Sequence, residues 1–127
     1  MSTSGFTNLD LVCSQQAKKL AQTPDKALYK LITTALGVLE EQGVYALFLF
    51  LQSAKNKNAT KIKQNLYALL NNPAVGLAKE NNLKAVEVLA DTLDKLLLAQ
   101  DMLRQTLVYA RYHAKNDEEN NNSEEPA

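Results

Sequence analysis

The stretch LITTALGVLEEQGVYALFLFLQ, residues 31–52, decides the fold of this chain. In its first half the apolar side chains recur at the spacing of one helical face, namely Leu31, Ile32, Ala35, Leu36 and Leu39. Gly43 follows the polar residues 40–42 and is typical of a left-handed helix cap. All eight residues from Val44 to Leu51 are then apolar, and a helix without a polar face must be covered on several sides. Because a bilayer span needs about 20 residues, this run predicts a core helix that the rest of the chain surrounds.

The composition extends this interpretation to the whole chain. Of the 127 residues, 46% are apolar, three are Pro and four are Gly, while Leu, Ala, Lys, Gln and Glu favour helix. The alternation of β-branched residues that indicates strands is nearly absent. We therefore expect an all-α, compact single-domain bundle of about five to six helices, with a long C-terminal helix and a disordered acidic tail.

The distribution of polar residues predicts the limits of the folded part. We expect a flexible N-terminus at residues 1–7, a helical domain at 8–115, and a disordered Asn/Glu-rich tail at 116–127. That tail, NDEENNNSEEPA, has no apolar side chain before Ala127. Residues 1–10 contain no apolar signal segment, and a single cysteine suits a reducing compartment. The expected location is cytoplasmic.

Caps and helix breakers divide the domain into helices. Thr7 or Asn8 caps a first helix that ends near Gln22, and Thr23-Pro24-Asp25 starts a second helix with Thr23 as its cap and Pro24 at the first helical position. The remaining helices are expected at about 44–54, 59–70, 83–90 and 93–115, with a break near Asp91. The fourth is expected to bury Ile62, Leu66, Leu69 and Leu70, and the last to bury Leu93, Leu96, Leu97, Leu103, Leu107 and Ala110.

Catalytic chemistry has few candidate residues. His113 is the single histidine and Cys13 the single cysteine, so a zinc site with several His or Cys ligands is excluded. We interpret His113 as a surface residue near a helix end and Cys13 as a small core residue. The acids Asp91, Asp94 and Asp101 lie within reach of Lys95 and Arg104, and we expect solvated ion pairs there. The sequence predicts no enzyme, no cofactor and no metal.

Nine of the basic residues form three clusters. All 14 lie at or before Lys115, and residues 1–116 carry nine acids, which leaves a surplus of five positive charges. Such a surplus is compatible with a polyanionic partner that is bound through its phosphates. No aromatic residue accompanies the lysine cluster, so base stacking is not predicted there. The alternative for each cluster is an ordinary solvated helix face. The clusters are Lys55, Lys57, Lys61 and Lys63; Arg104, Arg111 and Lys115; and Lys18 with Lys19.

Three stretches resemble the small α-helical subunit of type III CRISPR RNA-guided effector complexes, the Cmr-type small subunit. LITTALGVLEEQGVYALFLFLQS is similar to that family's helix, glycine-containing turn and apolar helix. ADTLDKLLLAQDMLRQTLVYARYHAK is similar to its Asp-led last helix, which ends in aromatic and basic residues. LDLVCSQQAKKLAQ is similar in placement to its first helix. These stretches cover about half of the chain, whereas residues 71–81 match poorly.

The resemblance implies a non-catalytic subunit of a ribonucleoprotein effector complex that acts in antiviral defence. It implies partners of three kinds: other effector subunits, further copies of this chain, and paired guide and target RNA, with no membrane and no small-molecule substrate. Basic residues would contact the nucleic-acid backbone, with the lysine cluster at 55–63 first and Arg104 and Arg111 next. The alternative is a helical protein–protein adaptor without nucleic-acid binding, in which the surplus charge serves solubility.

Overall fold

The computed structural model describes residues 8–115, and all regular secondary structure in that range is helical. Six helices occur, and the last is the longest, which confirms the all-α bundle with a long C-terminal helix. The predicted flexible N-terminus (1–7) and disordered tail (116–127) lie outside the described residues. The helices are α1 (Leu9–Leu20), α2 (Lys26–Gln42), α3 (Val44–Ala54), α4 (Lys57–Asn71), α5 (Leu83–Leu89) and α6 (Leu93–Ala114).

Five helices close into a ring around one hydrophobic core. α6 packs against α1 and α2, α4 packs against α1 and α3, and α2 packs against α3, while the short α5 lies on α3. The order around the ring is therefore α1, α6, α2, α3, α4. The four residues expected to point inward from α4 (Ile62, Leu66, Leu69 and Leu70) are all fully buried, as predicted.

The apolar helix α3 is covered on fewer sides than the sequence predicts. Val44, Leu47, Phe48 and Leu51 are buried, and the Phe48 ring stacks on Tyr67 of α4 with centroids 4.5 Å apart. On the opposite side, Tyr45 and Leu49 remain 38% and 42% exposed. The prediction of a core helix holds for one face of α3, but the ring leaves the other face open to solvent.

The caps differ in detail from the sequence-based expectation. Asn8 is one of the two residues expected to cap α1, and its side chain accepts a hydrogen bond from Leu11 N–H. For α2 the prediction was wrong by two residues, because Asp25 accepts from Leu28 N–H at 3.0 Å and so takes the cap position. Asn56 likewise caps α4, because its side chain accepts a hydrogen bond from Ala59 N–H at 2.7 Å. The helix α4 therefore begins at Lys57 rather than near Ala59.

The expected break before the last helix is present, but part of its predicted core is wrong. Residues 90–92 separate α5 from α6, while Leu93 and Leu97 are 66% and 52% exposed. The helices α2 and α6 run antiparallel, because Tyr29 meets Arg111 and Glu40 meets Arg104. Since α2 ends at Gln42 and Leu97 lies about 10 Å along α6 from Arg104, the first turns of α6 extend past the end of α2.

Polar contacts hold α1 in the ring on both sides. The Gln16 side chain donates to the Asn65 carbonyl at 3.0 Å, and the Asn65 side chain donates to the Gln16 carbonyl at 3.1 Å, which ties α1 to α4. On the α6 side, Asp10 accepts from the Tyr109 hydroxyl at 2.6 Å. This hydrogen bond lowers the pKa of Asp10 and raises the pKa of Tyr109.

None of the helices between residues 8 and 115 combines the length and the apolar character that crossing a membrane requires.

Candidate nucleic-acid interface

The start of α4 forms a basic surface together with the start of α2. Lys55 ends α3 in the left-handed conformation, with φ 52° and ψ 44°, and α4 begins two residues later. This tight turn places Lys55, Lys57 and Lys61 around one shallow depression. A second depression has Lys57 on one side and Lys30 of α2 on the other. The fold thus brings Lys30, which is 25 to 31 positions away from the other three in the sequence, into the lysine cluster.

The end of α6 continues this surface. The Asp25 backbone N–H donates to the Ala114 carbonyl at 3.0 Å, which fixes the last turn of α6 beside the first turn of α2. Arg111 lies over the ring of Tyr29, 5.3 Å from its centroid, and donates to the Tyr29 hydroxyl at 3.3 Å. Lys115 lines the same pocket. Tyr29 directly precedes Lys30, and neighbouring positions of a helix point about 100° apart. Arg111 therefore lies on one side of α2 and Lys57 on another, with Lys30 between them.

We call the cations that lie around the start of α2 the basic strip. It contains one residue from the end of α3 and others from α2, α4 and α6, and all are exposed except the half-buried Lys115. Within residues 8–115 none of these cations forms an ion pair, since both ion pairs found there belong to Arg104. No carboxylate of residues 8–115 therefore neutralises their charge by direct contact. The members are Lys30, Lys55, Lys57, Lys61, Arg111 and Lys115.

Four of the predicted binding residues lie outside the strip. Lys63 is half-buried and points about 160° around α4 from Lys61, because two helical positions differ by about 200°. Lys19 borders a separate cleft at the far end of α4, with Lys79 and Glu80, and Lys18 points to another side of α1. Arg104 is compensated by Glu40, at 3.5 Å, and by Asp101.

Two residues of this surface, Lys30 and Tyr112, were missed by sequence reasoning. Lys30 stands one helical turn after Lys26, and that i,i+4 spacing was a visible signal. Asn56, which the sequence places among the lysines as an uncharged hydrogen-bonding group, lies between the two depressions and also caps α4. Tyr112 is 72% exposed and lines the pocket of Arg111 and Lys115. The sequence shows Tyr112 beside Arg111 but gives no indication that Tyr29 of α2 lies against them.

Cys13 and His113, the two residues considered as catalytic candidates, lie in surroundings that are typical of residues without a catalytic role. Cys13 is buried, its thiol donates to the Met102 carbonyl at 3.5 Å, and burial raises the pKa of the thiol. His113 is exposed in the last turn of α6, as expected. Of the expected ion pairs, Arg104 with Asp101 is present. Between residues 8 and 115 no group of three or more His, Cys, Asp and Glu side chains is arranged to hold a metal ion.

Comparison of the chain with models of protein families, with curated proteins and with solved structures yields no match. The strip and the residues that carry the resemblance are therefore the features of this chain that bear on its function.

Proposed function

We propose that this protein is a non-catalytic, helical RNA-binding subunit that holds the sugar–phosphate backbone on its basic strip. The observation that carries the proposal is the convergence of lysines and an arginine from α2, α4 and α6 on one surface. Phosphates need positive charge and hydrogen-bond donors rather than a rigid arrangement, and flexible lysines supply both. Since most of these side chains end in a single charged group, we expect binding with little sequence preference.

The resemblance of residues 9–22, 31–53 and 90–115 makes the proposal more specific. On that basis the chain is the small subunit of a type III CRISPR effector complex in the cytoplasm, acting in antiviral defence. It would contact guide and target RNA and pack against other subunits, including copies of itself. Purification of the native chain, followed by mass spectrometry and RNA sequencing of what accompanies it, tests this assignment. A chain recovered without effector subunits and without guide RNA would contradict it.

Charge removal tests the strip directly. We expect the double variant Lys57→Gln/Lys61→Gln to bind single-stranded RNA more weakly, because two phosphate contacts are lost. The slope of log K against log salt should fall by about 0.7 for each lost contact. The measurement is fluorescence anisotropy over a salt series, with folding checked by circular dichroism.

The matched control is Lys84→Gln/Lys95→Gln. These two exposed lysines lie on α5 and on the first turn of α6, away from the strip, and their removal changes the net charge by the same amount. The control should keep the wild-type slope. Equal losses in both double variants would mean that overall charge, and not the strip, drives binding.

One observation favours the adaptor alternative. Val88, Leu93 and Leu97 are more than half exposed on α5 and on the first turns of α6. Exposed apolar side chains of this size suit a protein partner. Association that persists at high salt and without RNA would favour this function, because salt screens charge but not apolar contacts.

A further inference from the structure

The end of the basic strip carries an aromatic surface that phosphate binding alone does not use. Tyr112 is 72% exposed, the highest value among the large apolar and aromatic side chains that are exposed in residues 8–115. It lines a pocket of about 180 Å³ together with Tyr29, Val108, Arg111 and Lys115. This volume is below the roughly 300–1,000 Å³ of ordinary small-molecule sites. The pocket is therefore too small to enclose a ligand of that size, but it offers a surface for one flat ring.

The groups around Tyr112 are those that accompany an unpaired base in single-strand binding sites. Every base has a π-face that can stack on a tyrosine ring, and cations beside the ring bind the neighbouring phosphates. Here Arg111 is held against the Tyr29 ring, 5.3 Å from its centroid, and Lys115 lies on the same pocket. The pocket therefore combines a free aromatic face with two positive charges.

We propose that Tyr112 stacks on an unpaired base of the single-stranded nucleic acid whose backbone follows the basic strip. This inference rests on the proposed function, since the strip must bring the strand to the end of α6. It adds a distinct property, because stacking requires a base that is not paired in a duplex. The sequence predicts no base stacking at the lysine cluster, and the aromatic site proposed here lies elsewhere, at the end of α6.

The test compares Tyr112→Ala with the wild-type chain on a single-stranded RNA of about 12 nucleotides, within the range that single-strand sites cover. We expect Tyr112→Ala to bind about tenfold more weakly, and Tyr112→Phe to bind like the wild type, because a phenyl ring also stacks. The salt slope should be unchanged in both variants, since no phosphate contact is removed. Binding to a duplex of the same length should be insensitive to Tyr112→Ala.

Tyr45→Ala is the matched control, because Tyr45 is also exposed but lies at the first turn of α3. It should leave RNA affinity unchanged. A series of RNAs, each with one abasic position, completes the test: at the stacked position the wild type should lose affinity, and Tyr112→Ala should lose little more.

The outcomes separate this inference from the proposed function. If Tyr112→Ala binds RNA as tightly as the wild type while Lys57→Gln/Lys61→Gln does not, stacking is overturned and the strip stands. If neither variant changes affinity, both proposals fail. A loss of affinity in Tyr45→Ala equal to that in Tyr112→Ala would also overturn stacking at this site.

Discussion

Gly43 joins α2 to α3 through a backbone conformation that other residues rarely adopt. Its φ is 101° and its ψ is −177°, so the left-handed cap expected from the sequence is correct in the sign of φ but has an extended ψ. A Cβ at this position would meet no atom within 4 Å. An alanine would therefore destabilise the fold through backbone strain at this positive φ and not through a steric clash. We expect Gly43→Ala to lower the free energy of unfolding by about 1–3 kcal/mol, measured by urea denaturation.

Gly37 provides the control for that measurement. It lies within α2, and a Cβ there would also meet no atom within 4 Å, but its φ is not positive. Gly37→Ala should raise the free energy of unfolding by about 0.5–1 kcal/mol, because alanine has less backbone freedom to lose in a helix. Equal effects of the two substitutions would show that the conformation of Gly43 imposes no special cost.

At the scale of single residues, the binding candidates were predictable only where they share a helix or a turn. Lys57 and Lys61 are four positions apart in the sequence, and that spacing places them on the same face of α4. Lys63 was grouped with them by distance along the chain, but the helical rotation turns it away. Arg104 was selected for its charge, and its pairing with Glu40 of α2 depends on a contact between distant helices.

Asp25 acts at the scale of elements, because it caps α2 and also joins α2 to α6. Its side chain accepts from Leu28 N–H, and its own backbone N–H donates to the Ala114 carbonyl. Asp25→Ala should lower the free energy of unfolding by about 0.5–2 kcal/mol, the usual cost of losing a cap. Asp25→Asn should retain most of the stability, since asparagine caps as well. Urea denaturation measures both, and an equal loss in Asp25→Asn would mean that the carboxylate acts through its charge instead.

The elements themselves were largely predictable, for a local reason. Asn8 caps α1 and Asn82 caps α5, and such caps are visible in the sequence. Asn56 is an equally visible cap, but the predicted start of α4 was two residues too late. The burial of α6 was less predictable, because periodicity shows which face of a helix is apolar but not how far its neighbours extend. Leu93 and Leu97 continue the apolar face of α6 beyond the end of α2, and they are therefore exposed.

At the scale of the whole molecule, the fold gathers at one end bases that are dispersed in the sequence. The basic strip gathers where α2 and α4 begin and where α3 and α6 end. Most acids outside this region lie near the opposite ends of the same helices; Glu87, for example, is 3.4 Å from the Tyr45 hydroxyl at the start of α3. Glu40 and Glu41 end α2, and Asp94 lies in the first turn of α6. This polarity follows from the antiparallel arrangement of α2 and α6, which no local pattern in the sequence specifies.

The net charge of zero conceals this polarity, and residues 116–127 are the reason. They carry five of the 14 acids and no base, and they follow Lys115, a member of the strip. We expect deletion of residues 116–127 to strengthen binding of single-stranded RNA at low salt, because the remaining chain carries a surplus of five positive charges. The gain should shrink as salt rises, since the screening length falls from about 30 Å at 0.01 M to about 8 Å at 0.15 M.

A full-length variant with the five acids of residues 116–127 changed to Asn or Gln separates charge from length. It should match the deletion at every salt concentration in the anisotropy measurement if the carboxylates weaken RNA binding by repelling phosphates. A gain in the deletion alone would assign the effect to the presence of the segment and not to its charge. Unchanged affinity in both variants would show that these carboxylates do not act on the strip, and the surplus of charge on residues 8–115 would then be fully effective in the intact chain.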